Sequence, residues 1–92
     1  MVIPDEFLQL ARGFHQDSGI GMANEQKWIA ARVASLDSAQ RRVVKTFLTE
    51  LLINCRDDGK LRELWNRTGA DFFIDGDQSG RYFLTLMRDL IQ

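Results

Sequence analysis

The sequence predicts an all-α fold, a compact single-domain bundle of about five helices around a central helix, with residues 1–92 forming one domain. Three observations predict it. Apolar residues recur at spacings of three, four and seven through most of the chain. Clusters of Gly, Asp and Ser interrupt that period at short intervals, which makes the connections short. One stretch, Asp37 to Cys55, carries the period further than any other run free of Gly and Pro.

In chain order, Pro4 suits a first helical turn, and Asp5 and Glu6 suit the positive end of a helix dipole. Phe7, Leu8, Leu10, Ala11 and Phe14 then form a stripe, so helix one is expected over about residues 4 to 16. Gly13 falls inside it, as a weak point or a place of close approach. Residues 17 to 23, DSGIGMA, read as a loop. Asn24 is a suitable N-cap for a second helix, in which Trp28, Ile29, Val33 and Leu36 share a face and alanines permit close packing.

Asp37 and Ser38 cap the central helix almost without a linker, so the two helices meet at a sharp corner or run antiparallel. Its apolar face holds Val43, Val44, Phe47, Leu48, Leu51, Leu52 and Cys55. Arg42, Lys45, Thr46 and Thr49 fall opposite. Asp57, Asp58 and Gly59 are turn residues. A fourth helix follows, with Leu61, Leu64 and Trp65 on one face, and it stops at Thr68-Gly69. Asp71 to Gly80, DFFIDGDQSG, is the least helical stretch, a short extended segment or a loop laid over the core. Ser79 caps the last helix, whose expected inner face is Tyr82, Phe83, Leu86, Met87, Leu90 and Ile91.

Composition excludes several classes of function. Hydrophobic residues make up 45% and charged residues 27%, as in ordinary globular chains, and the net charge is −1. Steering by total charge toward nucleic acid or an anionic membrane is unsupported. The single Cys55 permits no internal disulfide, which fits a reducing compartment. The start, MVIPDEF, lacks the basic and apolar regions of a signal peptide, and no apolar run is long enough to span a bilayer. The expectation is a soluble cytoplasmic protein with no membrane partner.

No cofactor or metal is expected. Asp75-Gly-Asp77-Gln-Ser79-Gly80 opens like an EF-hand calcium loop, but the twelfth position, which needs a bidentate carboxylate, is Leu86. Zinc would need three or four clustered ligands, and the chain has one His and one Cys. His15 and Cys55, or His15 and Asp17, could make a catalytic pair. Cys55, however, closes an apolar face, as buried inert thiols do, and His15 suits the end of a helix. Catalysis is therefore not expected. Arg41, Arg42 and Lys45 form a basic patch on the central helix, extendable to Arg56, Lys60, Arg62 and Arg67. Glu50, Asp57, Asp58 and Glu63 interleave with it, which suits a solvated face better than a nucleic-acid stripe. Residues 69 to 80 carry Asp71, Asp75 and Asp77 and no base. With Phe72 and Phe73 beside them, these acids could form an edge that binds a basic partner.

The order of these signals resembles a known family. Phe14-His15-Gln16-Asp17 matches a Phe-His-Gln-Asp motif found at the end of helix one in small helical immunity proteins of bacterial contact-dependent growth inhibition systems. A Gly/acid loop, a second helix, a long helix like VVKTFLTELL, a short one like LRELW, an acidic loop and a final helix opening on Arg81-Tyr82-Phe83-Leu84 follow in the same order. The family commonly has Trp after the Asp, where this chain has Ser18. The resemblance implies an inhibitor without catalysis, which binds the C-terminal domain of a cognate toxin in the cytoplasm of the producing cell. The expected partner-binding residues are Asp71, Phe72, Asp75 and Asp77, since acids complement the basic cleft of a nuclease-type toxin. Phe14, His15, Gln16 and Asp17 are the family motif, with no binding role assigned. The alternative is a small helical regulatory or nucleic-acid-binding adaptor that uses Arg41, Arg42 and Lys45.

Overall fold

The computed structural model describes residues 2–14, 25–70, 74 and 79–91. Among them are five helices and no strand: α1 (Asp5–Arg12), α2 (Glu25–Val33), α3 (Ser38–Asn54), α4 (Asp58–Asn66) and α5 (Gly80–Leu90). No helix among the described residues is long and apolar enough to cross a membrane.

Local chemistry explains where the helices begin. Pro4 is the N-cap of α1, and its carbonyl accepts the Phe7 and Leu8 N–H groups. At α3, Asp37 Oδ1 accepts the Gln40 N–H at 2.8 Å, and the Asp37 N–H donates to Gln40 Oε1 at 2.9 Å. This reciprocal pair satisfies two donors that a helix start leaves free. Asp57 and Ser79 cap α4 and α5, accepting the N–H groups of Lys60 and Tyr82.

The ends show one correction. The expected helix one stops at Arg12 rather than continuing through Phe14. Gly13 is its C-cap, and the Gly13 and Phe14 N–H groups close a tight final turn on Leu10 and Ala11. The apolar stripe runs on because Phe14 is fully buried outside the helix. At the end of α4, Gly69 takes φ +89°, the left-handed conformation that lets the chain turn away. Thr68 is buried there and donates its hydroxyl to the Trp65 carbonyl at 2.6 Å.

Every helix sends one ring into the core. Phe7 of α1 packs on Phe47 of α3 at 5.0 Å and on Trp65 of α4 at 5.9 Å. Trp65 meets Phe83 of α5 at 5.0 Å, and Phe14 meets Trp28 of α2, Trp65 and Phe83 at 5.2, 5.3 and 5.8 Å. Most of these pairs are edge-to-face, the arrangement that the ring quadrupole favours. α5 lies against α2, α3 and α4, and α1 lies against α3. The longest helix, α3, thus shares the centre of the fold with the last one. Val44, Phe47, Leu48, Leu51 and Leu52 form its buried face, while Val43 and Cys55 sit half-buried at the edge.

The inner face of α5 is rotated from expectation. Leu84 is fully buried, Leu86 and Leu90 lie at the edge of the core, and Tyr82 is 60% exposed. Gly80 sets the rotation. A Cβ there would meet the Arg62 backbone N and Cγ at 2.9 Å, so only a residue without one lets α5 sit this close to α4. With Gly80 against α4, Leu84, Met87 and Ile91 follow on that side, and Tyr82, two residues on from Gly80, points away.

Candidate functional site

The expected contact residues Asp71, Phe72, Asp75 and Asp77 lie outside the described residues, as do His15, Gln16 and Asp17 of the motif. The motif's first residue, Phe14, is buried among three rings and serves the core. Beside it, Arg32 Nη1 donates to the Gly13 carbonyl at 3.4 Å, tying α2 to the end of α1. Its Nε is buried with no partner among the described residues.

What the structure places with detail is one point inside the acidic segment and the chain just after it. Within the segment, Asn66 of α4 holds Ile74, between Asp71 and Asp75, by its backbone. The Ile74 N–H donates to Asn66 Oδ1 at 2.9 Å, and Asn66 Nδ2 donates to the Ile74 carbonyl at 3.3 Å. The two bonds mimic a strand pairing, and the Ile74 side chain is buried beneath them. On the downstream side, Asp58 of α4 holds the start of α5. Its Oδ1 accepts the Ser79 hydroxyl at 2.8 Å and the Arg81 N–H at 2.9 Å. Its Oδ2 accepts the Gly80 N–H at 3.3 Å and pairs with the Arg62 guanidinium.

One carboxylate thus caps the helix that follows the acidic segment while it sits in the first turn of its own. The Arg81 N–H most of all, then the Ser79 hydroxyl, the Gly80 N–H and the Arg62 charge, hold the Asp58 carboxyl below its ordinary range. Partial burial works against them. From the same turn of α5, Arg81 Nη2 reaches back to the carbonyls of Leu52 at 3.0 Å and Cys55 at 2.6 Å. A cation at the end of α3 satisfies carbonyls the helix leaves free and suits its dipole. The ends of α3, α4 and α5 are thereby joined in one polar knot. A surface groove of about 580 Å³ runs beside it, lined by Asp57, Gly59, Lys60, Arg62, Glu63, Asn66 and Ile74.

Asn66→Ala is expected to cost about 1–2 kcal/mol, because it removes both bonds to a buried backbone segment. Asn66→Asp keeps only the acceptor and should fall between. Urea denaturation of the three proteins measures this, and equal midpoints would show that Ile74 is held by its side chain alone.

The other candidate residues are distributed differently. Cys55 is half-buried at the C-cap of α3, its Sγ 3.8 Å from the Asp57 carbonyl. Ser79, a member of the calcium-like pattern, has its hydroxyl engaged by Asp58 and by the Tyr82 N–H. Leu86, at that pattern's twelfth position, packs on the core. Among the described residues no group of His, Cys, Asp or Glu is arranged to hold a metal ion. The basic patch is divided, since Arg41 is half-buried and donates to the Ala34 carbonyl at 3.3 Å, while Arg42 and Lys45 are exposed.

The geometry defines a helical domain of the all-α class in which polar residues of α4 hold the backbone at Ile74 and at the start of α5. Comparison of the chain with protein-family models, curated proteins and solved structures finds no match.

Proposed function

We propose that this chain is an immunity protein that binds the C-terminal domain of a cognate toxin in the cytoplasm and neutralises it by occlusion. The observation that carries the reading is the bracing of the acidic segment. Asn66 fixes the backbone at Ile74, and Asp58 fixes the Ser79 hydroxyl and the backbone N–H groups of Gly80 and Arg81. Three acids and two aromatic residues fall between Ala70 and Ser79, with Asp75 and Asp77 lying between the two held points. A binding segment held by its backbone at one internal point and just beyond its end has less freedom to lose on association, so more of the contact energy appears as affinity. Acids at such a site complement a basic cleft, speed encounter and reject acidic partners. The motif at residues 14 to 17 and the order of helices, which resemble the immunity family, support the same reading. Its partner-binding residues are Asp71, Phe72, Asp75 and Asp77.

The adaptor reading draws less support. Arg41, one of its three bases, is committed to the Ala34 carbonyl, and Glu50 interrupts the same helix. The test is co-expression with the C-terminal domain of a large secreted protein encoded immediately upstream. Immunity predicts that the two co-purify and that cells making both survive. A toxin domain that is neither retained nor neutralised by this chain contradicts it.

A further inference from the structure

α3 has a second face, which no other helix among the described residues covers. Val44, Phe47, Leu48, Leu51 and Leu52 point into the core. On the opposite side, Ala39, Arg42, Thr46, Glu50 and Ile53 are exposed, and Val43 and Thr49 are half-buried. Ile53 is 65% exposed, and Val2, at 90%, stands beside the same face. Val2 and Pro4 make one wall of a groove of about 410 Å³ whose floor and rim are Arg42, Val43, Thr46, Phe47 and Glu50. Arg42 and Glu50 are two turns apart, too far to pair with each other, and neither forms an ion pair among the described residues.

The pattern on this face is symmetric about its middle. α3 runs from Ser38 to Asn54, and Thr46 is its central residue. Arg42 and Glu50 stand at equal distances on either side of Thr46, as do Val43 and Thr49, and Ala39 and Ile53. We propose that this face pairs with the same face of a second copy of the chain, the two α3 helices running antiparallel about a two-fold axis at Thr46. That register sets Arg42 at the height of the second copy's Glu50, and Glu50 at the height of its Arg42. It places Ile53 over Ala39, where a large apolar side chain meets a small one, and Thr46 over Thr46. A two-fold interface must be self-complementary in this way. A parallel pairing brings like charges together, Arg42 on Arg42 and Glu50 on Glu50, and is disfavoured. The balance of one base and one acid also fits this face to its own copy better than to a uniformly basic partner. A helix of this length offers about 25 Å of contact, at the small end for a specific interface, so the dimer is weak and depends on concentration. This inference is independent of the immunity reading, and either can fail without the other.

The test is sedimentation equilibrium of the full chain from low to high micromolar concentration. The expected result is an average mass that rises from monomer toward dimer. Arg42→Glu or Glu50→Arg alone should weaken association about tenfold or more, since each sets like charges together at two symmetric places. The double variant, Arg42→Glu with Glu50→Arg, should return it to near the starting value. Ile53→Glu should abolish it while the circular dichroism spectrum stays unchanged. A monomer at every concentration overturns the proposal, as does a double variant no better than the singles. Loss of toxin-domain capture by Ile53→Glu in a chain that stays monomeric assigns the face to another partner and overturns it equally.

Discussion

Trp65→Ala is expected to lower the melting temperature by roughly 15–30 °C, the largest effect of any single substitution in this chain. Trp65 is fully buried and touches Phe7, Phe14 and Phe83, so three separate parts of the chain converge on one indole. Removing it takes away transfer energy and leaves a cavity that helices fixed by caps at their ends cannot close. Substitutions of this kind cost about 3–5 kcal/mol. A domain of this size has roughly 5–15 kcal/mol in all, so a large part of its stability goes. Trp65→Phe keeps an aromatic edge for its neighbours and should cost less than half as much. Thermal melting followed by helical circular dichroism measures both. A fall of less than about 5 °C for Trp65→Ala would show that the aromatic core can repack around the gap.

Asp58→Ala is expected to cost about 2 kcal/mol, more than an ordinary helix cap, because the carboxylate serves two helices at once. It accepts from Ser79, Gly80 and Arg81 of the α5 start while pairing with Arg62 of α4. The effect depends on pH with a definite sign. The folded carboxyl titrates below its ordinary value of 3.8, so folding is favoured by its ionised form. The contribution is fully present above 3.8 and is lost as the pH falls through the lower folded value. The difference between wild type and Asp58→Asn should therefore be constant from neutral pH down to mild acid, and should shrink at more acid pH. Urea melts of both proteins at neutral pH and near pH 3 test this. A difference unchanged at the lower pH would mean that the charge of Asp58 contributes nothing to the junction.

Elements governed by neighbours in sequence were legible, and those governed by distant contacts were not. Asp37 and Ser79 announce two helix starts because capping is a local reaction between a side chain and the next turn, while Asp57, read as a turn residue, proves to cap α4. The reciprocal bond from Gln40 back to Asp37 was not read, although an acid followed three residues later by Gln carries its signature. The end of helix one misled because Phe14 keeps the apolar spacing although the helix has already closed at Gly13. On α5, Tyr82, Phe83 and Leu84 are consecutive apolar residues, so periodicity permits two inner faces. The choice is made by the contact of Gly80 with Arg62, which belongs to another helix. The clamps were hidden for the same reason. Asn66 and Ile74 are 8 residues apart, Asp58 and Arg81 23, and Arg81 and Leu52 29, separations that carry no spacing signature. Asp58 read as a turn residue and Arg81 as a surface charge, and only the fold shows what each holds.

The central proposal is that Asp71, Asp75 and Asp77 bind a basic toxin domain. Titration calorimetry of that domain against the wild-type chain, and against a variant with Asp71, Asp75 and Asp77 all changed to Asn, tests it most directly. The account predicts tight binding by the wild type that weakens as salt is raised. It predicts a loss of roughly a hundredfold in the triple variant, with its melting temperature little changed. Equal affinity of the two proteins at low salt would contradict it.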